Sequence, residues 1–138
     1  MGRNGSFAQP MDNGRHKIVI VDDERGIRTA LARLLSASGY AVESFASGEE
    51  LLRADALGAA SCLLIDVQLG AESGLDLASD AAVRRSRVPI VFISASDETG
   101  VSAQVTASGG AAYLRKPFRA EELLAALAAA LAGGPKRA

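Results

Sequence analysis

The chain reads as an α/β domain, a five-stranded parallel sheet doubly wound by helices on both faces. Three observations predict it. Apolar runs of strand length alternate with helix-like stretches, five of each, between residues 17 and 132. The runs are nearly continuous in apolar character, as in strands buried on both faces. Four of them also end on residues with phosphate or metal chemistry. Lys17–Val21 runs onto Asp22 and Asp23, Ser61–Ile65 onto Asp66, Val88–Ile93 onto Ser94, and Ala111–Leu114 onto Arg115 and Lys116. Ligands of parallel α/β sheets gather outside the carboxyl ends of the strands, so three carboxylates, a hydroxyl and an ammonium are expected at one rim.

Each element carries its own signature. The first strand, Lys17–Val21, is β-branched. The first helix puts Ile27, Ala30, Leu31, Leu34 and Leu35 on one face and arginines on the other, and Gly39 closes it. The second strand, Ala41–Phe45, alternates Val42 with Glu43, the pattern of a sheet edge. Ser47 caps a second helix running to about Asp55, with Glu50 completing a capping box. The third strand is Ser61–Asp66, and a weakly patterned third helix covers about Leu75–Arg84. The fourth strand, Pro89–Ser94, is almost wholly apolar.

A fourth helix between Thr99 and Ser108 is rich in Gly, Val, Ser and Thr, weaker helix formers than Ala. Val101 and Val105 can share its inner face, so packing would hold it. A merely tolerable sequence and a segment able to shift between arrangements are both open readings. The fifth helix, Ala120–Ala132, repeats Leu at 124, 127 and 131. Right-handed crossovers and a short, polar second strand give a flavodoxin-like order, 2-1-3-4-5, with strand two at an edge.

At 138 residues the chain is one domain's worth and buries a substantial core. Residues 1–16 read as a flexible arm, 17–132 as the domain, and 133–138 as a short tail begun by Gly133-Gly134-Pro135. A formal net charge of −1 gives no general electrostatic reason to bind nucleic acid. No segment looks like an export signal. The longest apolar run, Leu123–Ala132, is half a membrane span and adjoins Glu121 and Glu122. The single Cys62 reads as a small buried hydrophobe, and a chain with no disulfide pair suits the reducing cytoplasm. The first turn, Asp-Asp-Glu-Arg-Gly, has no Gly-x-Gly-x-x-Gly, and its acids would repel a flavin phosphate. There is no Walker loop, and His16 reads as a surface residue without metal-ligand neighbours.

Two carboxylates about 5 Å apart repel by roughly 3 kcal/mol at an effective dielectric near 20. Gathering three therefore calls for a cation, and a few-carboxylate site that keeps its waters suits Mg²⁺ (or Mn²⁺). Asp66 then has an oxygen free to act as nucleophile toward phosphorus, while the metal and Lys116 offset phosphoryl charge. Ser94 and the backbone N–H groups of Val67 and Ala95 are placed to bind phosphoryl oxygens. The bland alternative is a set of separate, solvated acidic turns. The joint placement after four apolar strands argues against it.

Four stretches carry a family resemblance. They are Ile18-Val-Ile-Val-Asp-Asp-Glu24, Leu63-Leu-Ile-Asp-Val-Gln-Leu69 with Ser73-Gly-Leu75, Val88-Pro-Ile-Val-Phe-Ile-Ser-Ala95, and Tyr113-Leu-Arg-Lys-Pro-Phe118. In order and spacing the chain resembles the CheY-like receiver domain of bacterial two-component response regulators, over about Lys17 to Leu131. The resemblance implies that Asp66 is the phosphoacceptor, charged from a phosphohistidine on a sensor histidine kinase or histidine phosphotransfer protein. It implies that Asp23, Asp66 and the Gln68 backbone carbonyl ligate Mg²⁺, with Asp22 acting largely through water. Ser94 and Lys116 would sense the phosphoryl group, and Tyr113 would be the switch aromatic, with a plain packing role as its alternative. Lys116-Pro117 matches a position where the family carries a cis peptide. Partners would read the face of helix four, strand five and helix five, through which family members also form homodimers.

One loop departs from the family. After Asp66-Val-Gln-Leu69 the usual Pro is replaced by Gly70-Ala71-Glu72. Loss of Pro frees the backbone, so this loop is expected to be more mobile, with Glu72 adding negative charge. Gln68 and Ser96 lie where side chains position or block the attacking water and are expected to tune hydrolysis.

Three functions follow as expectations. The first is a phosphorylation-controlled switch that is no enzyme beyond assisting its own phosphorylation and dephosphorylation. The second is the same receiver within a longer DNA-binding regulator or hybrid kinase. Nothing after Leu131 resembles a helix-turn-helix, so direct nucleic-acid binding and membrane association are not expected. The third, weaker reading is a haloacid-dehalogenase-type phosphatase, whose nucleophile would instead sit in an Asp-x-Asp motif on the first strand.

Overall fold

The computed structural model describes residues 11–12, 15–95 and 112–133. Ser96 and the fourth-helix stretch lie outside the described residues, as do 1–10, 13–14 and 134–138. The elements are β1 (Met11–Asp12), β2 (Arg15–Val21), α1 (Arg25–Ala37), β3 (Ala41–Phe45), α2 (Gly48–Arg53), β4 (Cys62–Asp66), β5 (Gln68–Leu69), β6 (Glu72–Ser73), α3 (Gly74–Ala78), α4 (Ala81–Ser86), β7 (Ile90–Ser94), β8 (Ala112–Arg115) and α5 (Ala120–Gly133).

Among the described residues the main sheet places five parallel strands in the order β3-β2-β4-β7-β8, which is 2-1-3-4-5 as expected. The edge strand β3 is tied to β2 by Lys17–Glu43 at 2.8 Å. Short β1 adds antiparallel to the start of β2, pairing Met11 with His16 and Asp12 with Arg15. The first strand therefore begins two residues earlier than expected. His16, expected at the surface, is half-buried, and its Nδ1 is enclosed without a hydrogen-bond partner among the described residues.

Side chains alternate across the sheet, and both faces are covered. Val19, Val21, Leu63, Ile65, Ile90 and Phe92 pack with Leu51, Leu77, Ala78 and Val83 on one face. Ile18, Ile20, Cys62, Leu64, Val91 and Ile93 pack with Leu31, Leu35, Leu123, Leu127 and Ala130 on the other. Covering both faces explains why the strand sequences are uninterrupted apolar runs. Burial pushes the Cys62 thiol up to about 12, in keeping with an inert core residue.

The helices correct the sequence reading in detail. Ala30 is exposed, and Leu31 and Leu35 carry the inner face of α1. On α5 the buried positions are Leu123, Leu127 and Ala130, with Leu124 and Leu131 at the margin. Gly39 has φ +99° just past α1, and Ser47 Oγ accepts the Glu50 N–H at 3.1 Å. The expected single helix over Leu75–Arg84 is two, because Asp80 takes up an extended backbone and caps α4 by accepting the Ala82 N–H at 2.9 Å.

Candidate functional site

The sheet register brings the expected residues to one rim. Asp22 follows β2, Asp66 ends β4 opposite Ile93, and Ser94 ends β7 beside Arg115. The Lys116 N–H then donates to the Ser94 carbonyl at 2.8 Å, which fixes where the lysine leaves the sheet. Asp22, Asp66 and Ser94 are 1%, 6% and 0% exposed, so the cup floor is buried despite its charge.

The carboxylates are held by backbone. Asp22 Oδ1 accepts the Glu24 N–H at 2.9 Å, and Asp66 Oδ1 accepts the Gln68 N–H at 2.8 Å. Lys116 Nζ donates to Asp66 Oδ2 at 3.1 Å and stands 4.0 Å from Asp22 Oδ2. Burial, followed by the charge of Asp66, pushes the Asp22 carboxyl up to about 6 against the pull of the Glu24 N–H. Burial draws the Lys116 ammonium down, but its hydrogen bond to Asp66 and the surrounding carboxylates more than reverse this. Its pKa lies above the ordinary lysine value.

The stretch after Asp66 is a hairpin rather than an open loop. Gln68 pairs with Ser73 and Leu69 with Glu72 across the turn Gly70-Ala71. Gly70 has φ +61° and Ala71 is not left-handed, the φ pattern of a type II′ turn with Gly first. A Pro, fixed near −65°, would not fit there. Leu69 and Glu72 flank the turn, and the Gly74 N–H donates to Val67 O at 2.7 Å. The Gln68–Ser73 pair between them consequently turns its N–H and carbonyl groups outward, and the Gln68 N–H meets Asp66.

Some expected contacts are altered. The Val67 N–H, expected to face a phosphoryl oxygen, donates to Ile93 O at 2.8 Å as part of the sheet. Gln68 supplies the amide beside the Asp66 carboxylate. Glu72 does not lie loose beside the acids; its Oε1 accepts the Gly48 N–H at 3.0 Å. Asp23 is exposed, and its Oδ2 lies 3.3 Å from where a Cβ on Gly70 would stand. Ala95 is exposed at the end of β7, and Tyr113 is half-buried against the α2–α4 side of the core. Lys116-Pro117 is cis.

Three contributors escaped the sequence reading. Arg28 Nη1 donates to the Asp22 carbonyl at 2.7 Å and braces the acidic turn. Gly74 lies so close to the chain that a Cβ would overlap the Asp66 carbonyl oxygen and stand 2.7 Å from Ile65 Cγ2. Glu72 is the third. Only Gly74 carried a signal, a glycine directly after a capping serine.

A divalent cation fits this donor set. Asp22 Oδ2 is buried and has no hydrogen-bond partner among the described residues. Two buried carboxylates face one lysine, with Asp23 alongside. Among the described residues no three His, Cys, Asp or Glu side chains stand close enough together to hold a metal ion by themselves. The open arrangement suits a hard cation that retains waters.

Fold and rim together define a doubly wound α/β domain with a carboxylate–lysine cup at the strand ends. The family model of the response regulator receiver domain matches residues 18–128, and the chain belongs to that family. It is 36% identical over 115 residues to the transcriptional regulatory protein TdiR of Thauera aromatica, covering 83% of this chain and 51% of that one. It is 33% identical over 129 residues to the response regulator protein TmoT of Ectopseudomonas mendocina, covering 94% and 59%. The chain thus spans about half the length of the curated relatives it matches. Among solved structures it resembles the chemotaxis protein CheY4 of Vibrio cholerae, with TM-score 0.75, 28% identity and coverage of 83% and 98%. A response regulator receiver protein from Burkholderia phymatum gives TM-score 0.73, 32% identity and coverage of 86% and 96%.

Proposed function

We propose that the chain is a phosphoacceptor switch, in which Asp66 receives a phosphoryl group from a phosphohistidine on a sensor histidine kinase or histidine phosphotransfer protein. An Asp66 oxygen forms the new P–O bond as the P–N bond breaks, and the imidazole keeps the electron pair. Gln68 N–H orients the Asp66 carboxylate for attack. Lys116, already bonded to Asp66, passes its hydrogen bond to an incoming phosphoryl oxygen, and the hydroxyl of buried Ser94 donates to another. Mg²⁺ or Mn²⁺, held by Asp22, Asp23, Asp66 and the Gln68 carbonyl, would supply the remaining positive charge. The observation that carries this reading is the balance of charge in the cup: among the described residues, a buried Asp22 oxygen without a hydrogen-bond partner stands beside Asp66, with Lys116 as the cation between them.

On this reading the domain is regulatory and cytoplasmic, with no enzymatic substrate beyond its own phosphorylation and hydrolysis. Its output is read through Tyr113 and the face around β8 and α5, where a homodimer could form. Gln68, and Ser96 outside the described residues, set hydrolysis. A second reading, a receiver within a longer DNA-binding regulator, draws support from TdiR, whose name is that of a transcriptional regulator of about twice the matched length. Incubation with acetyl phosphate and Mg²⁺, followed by intact mass, tests the switch. The expected result is one added phosphoryl group, lost in Asp66→Asn and without Mg²⁺.

A further inference from the structure

The segment that departs from its family is built into the fold at both ends. At its C-terminal end Gly74 is pressed onto the Asp66 backbone with no room for a side chain, and its N–H is bonded to Val67 O. At its tip, left-handed Gly70 faces the Asp23 carboxylate. Between these points Glu72 leaves the hairpin sideways and accepts the Gly48 N–H, 24 residues back at the start of α2. That junction is crowded: Gly48 is buried, and a Cβ on it would stand 2.8 Å from Leu77 Cδ1 of α3.

Glu72 reaches Gly48 from unfavourable company. A groove of about 600 Å³ on this side is lined by Glu49, Asp76 and Asp80 as well as Glu72, with Arg53 engaged by Glu49. A carboxylate among other carboxylates would ordinarily extend into water. Its capture by a backbone donor gives the hairpin a lateral anchor independent of the turn. The hairpin in turn aims the Gln68 backbone at Asp66 and sets Gly70 against Asp23.

We propose that Glu72 is a positioning residue for the acidic cup: by accepting the Gly48 N–H it braces the 68–73 hairpin against α2 and holds the Gln68 backbone and the Asp23 side chain in place for a divalent cation. The inference rests on the proposed cation-dependent phosphoacceptance and assigns part of its tuning to this one tie. Losing the brace lets the hairpin shift, which weakens cation binding and so slows cation-assisted hydrolysis of the phosphoryl group, without removing a ligand.

Calorimetric titration of the intact chain with MgCl₂, alongside phosphoryl decay after acetyl phosphate, tests it. Glu72→Ala is expected to weaken Mg²⁺ binding by roughly tenfold, as loss of an outer-shell support does, and to slow decay at sub-saturating Mg²⁺. Glu72→Gln keeps an acceptor for the Gly48 N–H and is expected to restore both within about twofold. Glu49→Gln, which removes a neighbouring charge but not the tie, is expected to leave both unchanged. A Glu72→Ala chain that binds Mg²⁺ like wild type overturns the proposal. So does Glu72→Gln failing as badly as Glu72→Ala, since charge rather than the tie would then be responsible. A wild-type chain that binds Mg²⁺ but accepts no phosphoryl group would instead overturn the switch reading, and the Mg²⁺ arm would still judge the brace.

Discussion

Asp22 concentrates the physics of the cup at the residue scale. Its carboxyl moves from an ordinary 3.8 to about 6, mainly because burial disfavours its charge. A carboxyl with a raised folded pKa holds its proton more tightly in the folded state. Its contribution to stability is therefore greatest when protonated, declines as pH rises from about 4 through about 6, and is flat above. A displacement of that size corresponds to at most roughly 3 kcal/mol. In urea denaturation without divalent cation, this part of the stability is expected to be greater at about pH 5 than at about pH 7.5. Asp22→Asn should flatten that difference, and an unchanged pH profile in Asp22→Asn would contradict the assignment. The acids, Ser94 and Lys116 were legible because each terminates an apolar run. Arg28 was not, since an arginine on the polar face of a helix reads as solvated until its contact with the Asp22 carbonyl is seen.

At the scale of elements, the strands were legible and the short pieces between them were not. A strand covered on both faces announces itself by composition, whereas β5 and β6 have two residues each and no period to detect. Replacement of Pro by Gly70 suggested a freed loop; the φ of +61° shows the glycine used as the first residue of a hairpin turn. The break between α3 and α4 had a visible signal in Asp80, a strong cap residue followed by Ala-Ala. Gly74 gives this scale its prediction. Gly74→Ala places a methyl group into the Asp66 carbonyl and Ile65, so the backbone carrying Asp66 must shift. The expected loss is about 3 kcal/mol or more, measurable as a lowered urea midpoint. Gly26→Ala, at a position with nothing within 4 Å of the added carbon, is the control and should not destabilise.

For the whole molecule, the sheet is both core and scaffold. Alternate residues of β2, β4 and β7 divide between two hydrophobic layers, while the polar residues at or just past the strand ends, which neither layer includes, converge as a rim. That division made the strand order and cup location readable from sequence, because burial and chemistry occupy different residues of the same run. Among the described residues no helix is long and apolar enough to cross a membrane. The stretch expected to form the fourth helix lies outside the described residues, so the reading of the output face rests on Tyr113, β8 and α5.

The proposed switch turns on one aspartyl oxygen in this rim taking the phosphoryl group. Mapping the modified position after acetyl phosphate and Mg²⁺, with borohydride used to trap the acyl phosphate, tests it most directly. The expected result is a single reduced residue at position 66. Modification at Asp22, Asp23 or a hydroxyl side chain, with Asp66 intact, would contradict it.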